Sequence, residues 1–170
     1  VDLLGHGKSD SIGYIHTMEM MAEAVYSVLK HLKINNTVVI GHSMGGYVGL
    51  ALLDAHPSLI KGLCLMNSTA VADSDEKKVN RDRAIKAVKE HYKTFVSVSI
   101  ANLFRPKSRV LYKDEFSLVK REALKTSVQS IIASLEGMKI RTDRLQLFRN
   151  SKIPKLVILG KKDAILDFQL

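Results

Sequence analysis

Thr37-Val38-Val39-Ile40-Gly41-His42-Ser43-Met44-Gly45-Gly46 is the stretch that decides the fold. Its first four residues are β-formers, and an unbroken run of this kind suits a strand buried on both faces. Tyr47 to Ala55 follow as a helical run with almost no polar side, as expected of a helix covered all round. Between the two stands G-x-S-x-G with Ser43 at its centre. A strand, a sharp turn and a helix with a serine at the apex lift a hydroxyl off the sheet and present it to a ligand, so Ser43 reads as a nucleophile. The turn leaves no room for side chains two positions before and after its apex, which is the role expected of Gly41 and Gly45. The N-terminus of the next helix lies beneath the serine, where backbone N–H groups and the helix dipole favour negative charge. The Met44 N–H is the expected first donor to an oxyanion. A plainer reading of the same residues is a tight connection in which Ser43 only caps the helix. The apolar elements on both sides favour the nucleophile.

Upstream, His16 to Leu32 read as a helix capped by Thr17, with Met21, Ala24, Val25, Val28, Leu29 and Leu32 spaced to face a core. The methionines there are packing, not a cofactor site. Downstream, Pro57 ends the elbow helix near His56, and Ile60 to Asn67 form a strand that a right-handed crossover makes parallel to the first. From Ala70 the character changes. Asp73 to Glu76 start a helix with Ile85, Val88, Tyr92 and Phe95 on one stripe. Pro106 breaks it and Lys107 to Lys113 read as a loop. Asp114 and Glu115 open a second long helix, with Phe116, Val119, Leu124, Val128, Ile131, Leu135 and Met138 on one face and Gly137 near its end. A short helix follows over Thr142 to Phe148. Pro154 to Gly160 return to the sheet, the proline at the first strand position where it is tolerated. The organisation expected is an α/β fold with a parallel sheet flanked by helices: residues 1–69 the first part of the core, 70–150 a helical insert, and 151–170 a return to the core.

Composition narrows the function classes. The 170 residues are 46% hydrophobic and 25% charged, which is globular. No apolar run approaches the ~20 residues of a membrane span. One cysteine, Cys64, makes no intrachain disulfide, and its apolar neighbours place it in a buried strand. Both features fit a reducing, cytoplasmic compartment. The net charge of +9 sits mainly between residues 70 and 150, which hold 18 basic and 10 acidic residues. Such a surplus reads first as a solvated helical face and second as an attraction for acidic substrates. No zinc-finger spacing or aromatic RNA-binding repeat accompanies it, so no nucleic-acid partner is expected. Gly5-His6-Gly7-Lys8-Ser9 is not a phosphate loop, because the position five before the final Gly-Lys pair is Asp2 rather than glycine. It reads as a structural loop beside the site.

The elbow Gly41-His42-Ser43-Met44-Gly45-Gly46 resembles that of the α/β-hydrolase family. Two more segments carry the resemblance: Asp2-Leu3-Leu4-Gly5-His6-Gly7-Lys8-Ser9 upstream, and Leu156-Val157-Ile158-Leu159-Gly160-Lys161-Lys162-Asp163 downstream. The three fall in the family's order. The resemblance implies a helical lid over residues 70–150 and makes Asp163 the catalytic acid, with Asp167 second to it. The bland reading of Asp163 is an ordinary turn aspartate. The resemblance implies no metal and no organic cofactor, and a small-molecule substrate.

Serine chemistry needs a histidine base, and in this family the chain order is serine, acid, histidine. The six histidines, His6, His16, His31, His42, His56 and His91, all precede Asp163. The loop that supplies a second oxyanion N–H in the family would precede Val1. The expectation is therefore a fragment lacking both ends, inactive alone. Three readings follow for the parent. The first is a serine hydrolase acting on an ester-like carbonyl through an acyl-enzyme. The second is the same site performing C–C cleavage or proton abstraction on an acidic substrate. The third is a non-catalytic ligand-binding protein of the same fold. Serine at the apex argues against the dehalogenase and epoxide hydrolase branches, which carry aspartate there.

Overall fold

Three parallel strands, each ending toward the same edge, form the frame. A computed structural model describes residues 1–163, 165 and 166. Strands β1 (Thr37–His42), β2 (Ile60–Met66) and β3 (Lys155–Ile158) lie in the order β1-β2-β3. Val39 pairs with Leu63, and Leu65 with Val157. The central strand is the most buried because it alone has neighbours on both sides.

Helix α1 (Met18–His31) begins at Thr17, whose hydroxyl accepts the Met20 N–H at 3.1 Å. Helix α2 (Met44–Ala55) lies on the sheet face to which Val39 points, and eight of its twelve residues are buried. Met18, Met21 and Ala22 of α1 meet Leu50, Leu52 and Leu53 of α2 over Ile60, Leu63 and Leu65 of β2 in one apolar cluster. Each such side chain contributes roughly 1.5–3 kcal/mol by leaving water. Cys64 is buried in β2, where its neighbours place it.

Two burial expectations are corrected here. β1 is covered on one face only: Val38 is 65% and Ile40 69% exposed, since α2 packs on the opposite side against Val39. Val28 and Leu32 are exposed as well, because α1 meets the core through Met18, Met21, Ala22, Val25 and Leu29 instead.

The helices from residue 75 onward also depart from the expected boundaries. Helix α3 (Asp75–Leu103) starts at Ser74, whose hydroxyl accepts the Lys77 N–H, and bends at His91 (φ −141°, ψ 51°). The expected loop after Pro106 is helix α4 (Pro106–Leu111), because proline fits the first helical turn, where its missing N–H has no partner to lose. The single long helix expected from Asp114 is two, α5 (Lys113–Ala123) and α6 (Val128–Lys139). The break is stabilised locally. Ser127 caps α6 through the Ser130 N–H at 3.1 Å, and the Tyr92 hydroxyl reaches the carbonyls of Leu124 (2.8 Å) and Thr126 (2.5 Å). Helix α7 (Leu145–Asn150) then leads into β3.

Ion pairs fasten these helices to the core. Asp73 lies between Arg81 and Arg141, with Arg141 Nη1 at 2.6 Å. Arg141 also stacks over the Tyr47 ring at 4.1 Å. Arg144 bridges Asp54 of α2 (3.1 Å) and Glu19 of α1 (2.8 Å). The basic surplus is thus not wholly a solvated face: Arg141 and Arg144 are buried and paired.

Candidate active site

At the end of β1 the chain reverses into α2 within one residue. Ser43 takes φ +52°, ψ −121°, a conformation that a residue with a Cβ adopts only under constraint. Its N–H donates to the Met66 carbonyl at 3.0 Å, and its own carbonyl accepts the Gly46 N–H at 2.9 Å and the Ser68 hydroxyl at 2.7 Å. Ser43 is exposed and its side chain makes no capping hydrogen bond. The plainer reading of Ser43 as a helix cap therefore fails on geometry.

The glycine requirements differ from expectation at one position. A Cβ on Gly41 would lie 2.5 Å from the Gly45 carbonyl oxygen, so position 41 is closed to side chains. A Cβ on Gly45 would meet nothing within 4 Å. The constrained residue of the pair is Gly46, where a Cβ would sit 2.2 Å from the Ser68 hydroxyl. The first turn of α2 carries position 45 away from the sheet and position 46 back against the segment after β2.

Asp163 follows β3 in a turn closed by its N–H on the Gly160 carbonyl at 3.0 Å. Its carboxylate accepts the Asn67 side-chain amide and the N–H groups of Ile165 (2.8 Å) and Leu166 (3.0 Å). Burial works to raise its pKa. The Asn67 amide, the two backbone N–H groups and the charge of His42 outweigh burial and hold the carboxyl below its ordinary range. Asp163 is therefore an ionised acceptor at neutral pH. Asp167, second choice for the acid, lies outside the described residues.

Three consecutive residues that the sequence reading passed over as site residues tie these parts together. Met66 holds the Ser43 N–H, and its neighbour Asn67 holds Asp163. Asn67 sits at φ +45°, a region that asparagine tolerates better than most side chains. Ser68, next in line, clamps the Ser43 carbonyl. The available signal was Asn-Ser directly after a strand, at the edge where ligands of parallel sheets bind.

The histidines are scattered. His42 ends β1 beside Ser43. His6 lies 3.0 Å from the Leu4 carbonyl through Nδ1. His16 is buried, with Nε2 accepting the Ile12 N–H at 3.3 Å. His56 pairs with Glu23 at 2.8 Å and stacks on Tyr26. His91 marks the bend in α3. None of them forms a hydrogen bond with Ser43 among the described residues. Among the same residues no group of three His, Cys, Asp or Glu is placed to hold a metal ion. No helix there is long and apolar enough to cross a membrane.

A cleft of about 870 Å³ opens beside Asp163. The turn after β3 forms one wall, and the end of α3 with the start of α4 forms the other. Ser43 is not among its lining residues. A second cleft, of about 610 Å³, separates the loop around Gly5 to Ser9 from the start of α6. That loop folds on Asp2, whose carboxylate accepts the Lys8 N–H at 2.9 Å.

The model of one protein family, described as alpha/beta hydrolase fold, matches residues 1–169. The chain belongs to the alpha/beta hydrolase fold family. The resemblance read from the three motifs is thereby established, and with it the partial fold of three parallel strands flanked by helices. The chain superposes on a thermophilic esterase from Thermogutta terrifontis, solved with malate bound, at a TM-score of 0.90 and 30% identity. The match covers 98% of this chain and 62% of that one. A hydrolase from Pseudomonas aeruginosa gives 0.89 at 25% identity, over 99% and 63% of the two chains. In sequence, the dihydrolipoyllysine-residue acetyltransferase component of an acetoin cleaving system from Pseudomonas putida is 27% identical over 98% of this chain and 44% of its own length. The chain thus spans between 44% and 63% of the length of these three proteins.

Proposed function

We propose that the whole protein is a serine hydrolase of ester-like carbonyls. Ser43 is the nucleophile and Asp163 the acid that orients a histidine base. In this reading the histidine follows Asp163 in chain order, beyond the 170 residues. It takes the Ser43 proton as the hydroxyl attacks the carbonyl carbon, and the Met44 N–H faces the developing oxyanion. Collapse expels the alcohol, which leaves with the proton from histidine. Water then attacks the acyl-enzyme by the same route and releases the acid. The helices of residues 70–150 act as a lid that shapes the pocket and excludes water.

One observation carries this reading: an exposed serine held at φ +52°, ψ −121° between a strand and a helix, with its hydroxyl uncommitted to capping. A residue with a Cβ persists in such a conformation where function requires it. The ionised, hydrogen-bonded Asp163 on the same sheet edge supports it, as does the likeness to an esterase. The test is p-nitrophenyl butyrate hydrolysis by the full-length protein beside its Ser43→Ala variant. A loss of about 10³-fold or more is expected. Turnover by the variant within a few-fold of wild type would overturn the assignment.

A further inference from the structure

The cleft beside Asp163 carries an unusual set of charges. Arg105, Arg109 and Lys162 line it, with Asp163 as the one acidic residue among the lining side chains. The buried cations of the helical segment are neutralised in place, Arg141 by Asp73 and Arg144 by Asp54 and Glu19, whereas several of its surface cations are unpaired among the described residues. The three cations at the cleft form no ion pair among the described residues. Asp163 forms no ion pair with them; its carboxylate accepts Asn67 and two backbone N–H groups instead. Arg109 is also oriented: its Nε donates to the Phe104 carbonyl at 3.1 Å, which fixes the guanidinium plane and leaves the two Nη groups for another acceptor. The wall between these cations is apolar, formed by Leu103, Phe104 and Pro106.

We infer that this cleft binds the anionic end of the substrate, so that the ester cleaved at Ser43 bears a carboxylate on a short hydrocarbon arm. This rests on the hydrolase reading above and adds a substrate class to it. Arg109 and Arg105 are the specificity-determining residues, with Lys162 beside them on the opposite wall. The hydrocarbon arm lies along Leu103 and Phe104, and the carboxylate accepts hydrogen bonds from the guanidinium groups. A neutral chain of the same length fills the cleft but leaves the cations unpaired.

The test compares two esters of matched length, p-nitrophenyl hemisuccinate and p-nitrophenyl butyrate, with the full-length protein. The ratio of their kcat/KM values should favour the hemisuccinate by about tenfold, the value of one charge-assisted hydrogen bond. The ratio should fall as salt is raised. Arg105→Gln should lower it, and Arg105→Glu, at an exposed position where folding is not at stake, should invert it. In parallel, binding of monomethyl succinate to the Ser43→Ala protein is measured by calorimetry, with and without Arg109→Lys and Arg105→Glu. Binding that is lost with Arg105→Glu and retained with Arg109→Lys supports the site even if neither ester is turned over, an outcome that would remove the hydrolase reading alone. Turnover of both esters at equal rates, indifferent to salt and to Arg105→Glu, overturns the anionic site and leaves the hydrolase reading intact.

Discussion

Asn67 donates its side-chain amide to the carboxylate of Asp163, 96 residues further along the chain. The residue before it, Met66, holds the backbone of Ser43. The end of β2 is thus the common anchor of the candidate nucleophile and the candidate acid. Asn67→Ala removes the side-chain donor that most lowers the Asp163 pKa, so that pKa should rise. The sign for stability follows. A depressed carboxyl pKa contributes stability above the unfolded-state value and loses it as pH falls through the folded one. Asn67→Ala should therefore cost about 1 kcal/mol at neutral pH and progressively less in acid. Carboxyl-carbon NMR titration of Asp163 checks the shift, and an unmoved titration curve would count against the anchor.

Gly45 and Gly46 are neighbours with opposite tolerances. Gly46→Ala forces a methyl group onto the Ser68 side chain and should destabilise by roughly 1–3 kcal/mol. Gly45→Ala meets open space inside a helix and should be neutral or stabilising by up to about 1 kcal/mol. Urea midpoints of the two variants decide the matter. Equal losses would mean that the elbow packs differently.

Ser43 holds its conformation against its own Cβ. Ser43→Gly relieves that strain, whereas Ser43→Ala keeps it, so the glycine variant should be the more stable of the two by about 1 kcal/mol. Both should lose hydrolysis in the full-length protein. Thermal unfolding of the pair provides the comparison, and an alanine variant as stable as the glycine one would show the turn to be relaxed.

Asp73 should be the acid-labile point of the helical segment. Its side chain is 1% and that of Arg141 3% exposed. Burial alone would raise the Asp73 pKa, but Arg81 and Arg141 outweigh it and the net direction is down. The stability it contributes is present above the unfolded-state pKa of about 3.9 and is lost as pH falls through the lower folded value. Asp73→Asn leaves two arginines without their counter-charge and should cost about 3 kcal/mol at neutral pH. The gap between variant and wild type should narrow as pH falls below the unfolded-state value and close only below the lower folded one. Denaturation midpoints across that range test this, and a constant gap would rule out ionic linkage.

Local signals made the elbow, its flanking elements and the return strand legible, because each rests on a few adjacent residues. Thr17 named the start of α1 by its cap, and Gly41 its position in the turn. The helical segment was harder. Pro106 reads as a breaker, yet it opens α4 because a proline is harmful only past the first turn. The join between α5 and α6 depends on Tyr92 reaching two carbonyls more than thirty residues away, which no window of sequence contains. Gly45 matched a motif without filling its steric role, and Gly46 filled it unseen. Asn67 and Ser68 matter through partners on other elements, and their place directly after a strand was the one local sign of it. Ser43 and Asp163 stood out by their motifs alone; the cations of the cleft were counted as charge but not located.

The double clamp on the Ser43 carbonyl reaches beyond the oxygen it holds. A peptide unit is a flat, stiff plate with its C=O and N–H pointing to opposite sides. Gly46 and Ser68 grip one rim of that plate, so the other rim, the Met44 N–H, cannot swivel. Two contacts on the side of the turn facing β2 thus aim a hydrogen on the far side, as a pinned handle aims a blade. In the proposed hydrolase, the oxyanion above Ser43 would meet a donor whose direction was set when the chain folded.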